Sequence, residues 1–196
     1  MKSKHLLVSV LLGSATLINA QAPLNIKIAS AMDDHQERIS GANPQSGTVG
    51  DMYVGATTLN LGNFTSSSDP TLIGLRFTNV TIPKQATNIQ SAYIQFTVKG
   101  TSKNFDPCVL TIQAENSVNA AAFTDNSMSL SSRTMGSGSI AWTVGGTSWG
   151  TVGSAGTDQQ TPNLKTLIQP IIFNNSWVSG NAIAFFIKGS GVREIE

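Results

Sequence analysis

Three carboxylates within five residues, Asp33, Asp34 and Glu37 in the run A-M-D-D-H-Q-E-R, are the densest set of chemistry-bearing side chains in this 196-residue chain. Calcium takes about six to eight oxygen ligands, several of them carboxylates, and a site built from hard oxygens favours calcium over softer metals. The spacing is not that of an EF-hand or any self-sufficient metal loop, so further ligands must come from elsewhere. In a sandwich the first and last strands are often neighbours, which makes Glu194 the candidate fourth ligand. The competing reading is a charged, solvated loop following a strand.

Other chemistry has fewer starting points. The chain has two histidines, His5 and His35, and no G-x-S-x-G. A leader peptide, argued below, would remove His5, which rules out a histidine-cluster zinc site and leaves His35 as the one base for a Ser-His-Asp triad. Glycosidase chemistry needs two carboxylates facing each other across a cleft, and scattered acids cannot be paired from sequence. Aromatic platforms remain, because an apolar ring face suits the C–H-rich face of a sugar. Trp149, in the Gly-rich segment 145–156, is the best placed, followed by Tyr53 and Tyr93 on the polar faces of their strands. Trp142 alternates with core residues, and Trp177 is expected to pack beside a helix.

Lys2 and Lys4, an apolar run over 6–18 and the small Ala20 have the form of a secretory signal peptide, so residues 1–20 are expected to be absent from the mature chain. The run is short for a membrane span and nothing later approaches one. The expected location is secreted, extracellular or on the cell surface. Without Lys2 and Lys4 the mature chain has 12 − 2 = 10 basic residues against 11 acidic ones, which offers no electrostatic case for nucleic acid. Residues 21–196 suit one domain. Cys108 is the sole cysteine, so no intrachain disulfide forms, and its alternation with Leu110, Ile112 and Ala114 marks it as a buried strand residue.

The elements that must position these groups are mostly strands. Residues 72–98 read as two alternating strands around a corner with Pro83 and Asn88: Ile73, Leu75 and Phe77 share one face of the first, and Ala92, Ile94, Phe96 and Val98 one face of the second. Further strands are expected at 24–29, 51–54, 58–61, 108–115, 140–144 and 183–187. Residues 117–123 suit a loop or single helical turn. One amphipathic helix is expected from Thr161 as N-cap and Pro162 at its first position, regular to about Gln169 because Pro170 interrupts it. The fold class is therefore all-β, an antiparallel sandwich of jelly-roll type with one short helix.

Several runs, G-L-R-F-T-N-V-T-I-P, A-Y-I-Q-F-T-V, D-D-x-x-E, the A-A-x-F around Phe123, Ser131-Ser132-Arg133, S-I-A-W, T-P-N-L and W-x-S-G-N-A-I-A-F, resemble a β-sandwich module that recurs in large secreted multidomain bacterial surface proteins. That module is distantly similar to carbohydrate-binding domains attached to polysaccharide lyases. Pro170 departs from the pattern, and the chain reaches the acidic C-terminal motif without the tail that usually follows, which suggests the N-terminal part of a longer protein. The resemblance implies a non-catalytic extracellular module, carbohydrate-binding or adhesion-type, with a polysaccharide or cell-surface glycan as partner; the acidic cluster adds calcium as its candidate cofactor. The alternatives are an accessory domain of a secreted polysaccharide-degrading enzyme and a purely structural surface or fibre module.

Overall fold

A computed structural model describes residues 4–10, 23–28, 30–40, 47–54, 56–64, 69–86, 89–145 and 147–196. The remainder of the leader with its cleavage point, much of the loop at 41–50 and the turn residues 65–68 and 87–88 lie outside the described residues. Among the described residues ten strands pair, antiparallel throughout: β1 (His5–Val10), β2 (Leu24–Lys27), β3 (Asp34–Arg38), β4 (Met52–Val54), β5 (Leu59–Gly62), β6 (Thr71–Phe77), β7 (Ile89–Gln95), β8 (Val98–Ala114), β9 (Ile140–Val144) and β10 (Ile183–Ile195). One sheet has the order β2-β1-β7. The other runs β4-β3-β6-β10-β8-β9, with β5 paired to the distal half of β10. Among the described residues no helix is long and apolar enough to cross a membrane.

Strand alternation puts two different apolar sets on the two faces of the large sheet. Ile73, Leu75 and Phe77 of β6 and Ile183, Phe185 and Ile187 of β10 turn inward, to a core shared with Leu6, Val8, Ala92, Ile94 and Phe96. Leu72, Ala184 and Phe186 turn outward, where residues 116–135 cross the sheet as a strap and supply Ala120, Phe123 and Leu130 to a second, smaller core. Gly74 lies under this strap: a Cβ there would come within 2.7 Å of Leu130 and 2.9 Å of Phe123. The molecule is thus a sandwich with a third, irregular layer on one face.

Four elements differ from expectation. The strand expected over 92–98 ends at Gln95, and Val98 opens β8, which pairs with β10 in the other sheet. The acidic run after β2 forms a strand, β3, paired with β4 and β6, in place of a solvated loop. Its charges can enter a sheet because each is met by a partner, as described below. Residues 5–10, inside the expected leader, form β1, with Leu6 and Val8 fully buried. Finally α1 (Lys165–Phe173) starts after Leu164 as N-cap and runs through Pro170. Thr161 instead bridges to β7, donating its N–H to the Ile94 carbonyl at 3.0 Å and accepting the Ile94 N–H on Oγ1 at 3.0 Å. Pro170 is tolerated because the interior proline frees the carbonyl of Thr166, an exposed residue, to water, while Leu167, Ile168, Ile171 and Ile172 stay buried in the core.

Candidate functional site

β3 alternates, so its acidic residues cannot converge. Pairing with β6 places His35 and Glu37 on the outer face, opposite Gly74 and Leu72, and Asp34, Gln36 and Arg38 on the inner one. Glu37 is 1% exposed, and its Oε2 accepts the backbone N–H groups of Leu130 and Ser131, each at 2.8 Å. Asp33, just before the strand, pairs with Arg76 at 2.5 Å, and Arg76 Nε donates to the Ala120 carbonyl at 2.8 Å. Both acids therefore fasten the strap. Asp34 lies at the inner rim against Lys4 Nζ at 2.5 Å.

Arg133 completes the fastening from within the strap. It bonds the carbonyls of Ser129, Ala121 and Ala122, pairs with Glu115 at 3.1 Å, and lays its guanidinium 4.8 Å from the centre of the Phe123 ring. The planar fork serves five acceptors and an aromatic face at once, a role lysine lacks the geometry for. Sequence reading picked out the acids and missed the partners Arg76, Arg133 and Glu115. The arginines stand in the runs L-R-F and S-S-R, but nothing in the spacing shows that Arg76 meets an acid 43 positions away, that Arg133 pairs with Glu115, or that the Leu130 and Ser131 amides reach Glu37 across 93 and 94 positions.

Glu194, the expected fourth metal ligand, is elsewhere. It accepts from Ser102 Oγ at 3.1 Å and the Lys103 N–H at 3.3 Å, and it fills the space over Gly100, where a Cβ would lie 2.4 Å from Oε2. Among the described residues no group of three or more His, Cys, Asp or Glu side chains is placed to hold a metal ion. His35 is wholly buried, meets Phe123 edge-on at 5.6 Å, and has no hydrogen-bond partner for either ring nitrogen among the described residues. Burial pushes its pKa below the ordinary 6.5, against the opposing pull of Asp34, Asp125 and Asp33. Cys108 is buried as expected, its thiol pushed up to about 11 by desolvation, which makes it a poor nucleophile.

The aromatic candidates divide. Trp149, expected to stand exposed in its loop, is 0% exposed: the loop folds its indole back against Trp142 at 6.3 Å, and Trp142 stacks on Phe96 at 5.7 Å. Taking a large indole out of water outweighs the freedom of a Gly-rich loop. No ring face is left for a ligand there. Trp142 and Trp177 are core residues, the latter donating Nε1–H to the Ile82 carbonyl at 3.0 Å. Tyr53 is half-buried, its ring tilted by 31° against Phe64 at 4.6 Å, and its hydroxyl accepts from Arg38 at 3.2 Å. Tyr93 is half-buried on the outward face of β7, opposite Leu7.

A concavity absent from the sequence reading opens between α1 and the two ends of the strap. Its volume is about 580 Å³, and its wall includes Glu115, Asn116, Ser117, Ser137, Thr166 and Asn174 over an apolar floor of Leu167, Ile171 and Met135. That size suits a small organic ligand or two to three linked rings. The one ionisable side chain in the wall is Glu115, already engaged by Arg133. Amides and hydroxyls over an apolar floor can orient a neutral, hydroxyl-rich ligand. Comparison of the chain with family models, with curated proteins and with solved structures finds no match.

Proposed function

We propose that the chain is an exported, non-catalytic sandwich module that binds a neutral glycan in the groove between α1 and the strap, as part of an adhesive or carbohydrate-binding surface protein. The observation that carries this is the chemistry of the groove: hydrogen-bonding amides and hydroxyls above aliphatic carbon, with its one carboxylate committed to Arg133. Export rests on the leader pattern at residues 1–20. Calcium has no part in the reading, because Asp33, Asp34, Glu37 and Glu194 are each engaged with protein groups.

Ser137 is exposed and stands in the groove wall, so Ser137→Trp should fill the groove without touching the core. Affinity electrophoresis against neutral and acidic polysaccharides tests the proposal. A neutral polysaccharide should retard the wild type, and Ser137→Trp should abolish the retardation at unchanged melting temperature. If no polysaccharide retards the wild type, the module is a structural or protein-binding unit.

A further inference from the structure

We infer that removal of residues 1–20 moves the mature N-terminal strand one place inward, so that residues 24–28 take over from β1 the position beside β7. The inference rests on the reading of residues 1–20 as a cleaved leader. β1 is the middle strand of its sheet, and its removal leaves β2 with no strand partner among the described residues and one edge of β7 open. The other edge of β7 is already used. The N–H groups of Ala92, Ile94 and Phe96 go to Asn163, Thr161 and Gln159, so those of Ser91, Tyr93 and Gln95 are the ones that face β1. An apolar strand edge left open is a site of uncontrolled pairing.

β2 matches the vacated place residue for residue. Ile26 lies opposite Leu6, and Leu6 opposite Ile94; Leu24 lies opposite Val8, and Val8 opposite Ala92. All six therefore share the core face, and Leu24, Ile26 and Ile28 already pack against the core from its margin while only half-buried. A sideways step of about 4.8 Å, one strand spacing, sets Ile26 where Leu6 was and Leu24 where Val8 was. Ile28, whose N–H bonds the Lys4 carbonyl, moves to the place of Lys4. The first exchange keeps side-chain volume and the second adds one methylene. The outward set stays outward, with Asn25 replacing Leu7 opposite Tyr93.

Direction permits the step. β2 is antiparallel to β1 and β1 antiparallel to β7, so β2 already runs parallel to β7 and need not turn over. Cleavage frees its N-terminal side, and the turn at residues 30–33 absorbs the displacement on the other. Parallel pairing is slightly weaker per residue than the pairing lost. Lys4 leaves with the leader, so Asp34 exchanges its ion pair for water at the rim, where its side chain is already 16% exposed. Burial of Leu24, Ile26 and Ile28 offsets both.

The test compares exported protein with the full chain made without export, each carrying Asn25→Cys and Tyr93→Cys, two outward positions. With β1 between them these residues stand two strand spacings apart, about 9–10 Å, beyond the roughly 7 Å limit for a disulfide. After the step they are neighbours. Mild oxidation should therefore close an intrachain disulfide in the exported protein and none in the full chain, with Cys108 buried and inert in both. In exported wild-type protein, hydrogen exchange at Tyr93 and Gln95 should be at least about 100-fold slower than at an open edge. Fast exchange without the disulfide overturns the inference and leaves the leader reading intact. A disulfide between chains in a dimer assigns the edge to a second copy and also overturns it. An intact mass showing Met1 retained in exported protein overturns the leader reading, and the step with it.

Discussion

Replacing Glu37 separates a fastening role from a metal-binding one, because the two make opposite demands. Both N–H groups of the strap turn converge on one oxygen, Oε2, at 2.8 Å. Charge-assisted hydrogen bonds contribute roughly 1.5–3 kcal/mol each, whereas a neutral acceptor contributes about 0.5–1.5. Glu37→Gln keeps a carbonyl oxygen with two lone pairs and loses charge assistance mainly at the buried Leu130 N–H, because exposed Ser131 also reaches water, so it should cost about 1–2 kcal/mol. Glu37→Ala strands the buried Leu130 N–H, at about 1–3 kcal/mol, while the N–H of exposed Ser131 recovers water; with the lost packing, about 3–4 kcal/mol is expected. For a domain of this size, with roughly 2–4 °C per kcal/mol, the alanine variant should melt about 6–16 °C lower and the glutamine variant about 2–8 °C lower. Calorimetry with and without chelator is the assay. An alanine variant within about 1 kcal/mol of wild type would refute the fastening role, and a wild-type melt raised by calcium that Glu37→Ala abolishes would restore the metal site.

The remaining predictions concern the cores and the buried imidazole. Trp149→Ala should destabilise by about 3–5 kcal/mol, as Trp142→Ala should, since both indoles are buried; a Trp149→Ala melt unchanged from wild type would place that ring in solvent. Gly74→Ala drives a Cβ into Leu130 and Phe123 and should cost about 1–3 kcal/mol as overpacking, read as a lower urea midpoint with faster exchange confined to the strap. The His35 pKa is lowered on folding, so between the lowered value and 6.5 the unfolded chain binds more protons than the folded one. Its contribution is therefore complete above about pH 6.5 and is lost as pH falls below that. His35→Phe, which keeps a ring against Phe123 and removes two unpartnered nitrogens, should flatten the urea midpoint over the acid side of about pH 6.5, and an unchanged slope would assign the acid sensitivity to carboxylates.

Strand identity was legible where one face is buried and the alternation carries the information. Residues 73–77, 92–95, 108–114 and 183–187 declared both their type and their inward set, and the structure places Ile73, Leu75, Phe77, Ile183, Phe185 and Ile187 in the core. β3 was not legible as a strand, because D-H-Q-E-R shows no hydrophobic period. Its burial follows from partners distant in sequence: the Leu130 and Ser131 amides for Glu37, Arg76 for nearby Asp33, and Asp69 for Arg38. The Trp149 misplacement has the same origin. Glycines describe what a loop is free to do, while the destination of the indole depends on Trp142 and Phe96. The groove was invisible for a further reason, since its walls come from three separate segments that alternation says nothing about.

The fastening and the groove are one structure. Residues 116–118 and 135, the two ends of the strap, form one side of the groove with residues 136–138 just beyond it, and Glu115 joins the end of β8 to Arg133. Groups that must orient a ligand need to be held before it arrives, or ordering them subtracts from affinity at about 0.5–1.5 kcal/mol per side chain. The charges beneath the strap supply that hold without occupying the groove, because Glu37, Asp33 and Arg76 act from the sheet side and Arg133 from within the strap. Side chains that look like a metal site in sequence are, on this account, what fixes the shape of a site 580 Å³ in volume on the far edge of the same segment. Glu37→Gln at a temperature well below its melt should therefore leave the main core folded yet weaken any retardation of the protein by the neutral polysaccharide that the proposed function calls for. Retention equal to wild type would mean that the groove is shaped by α1 alone.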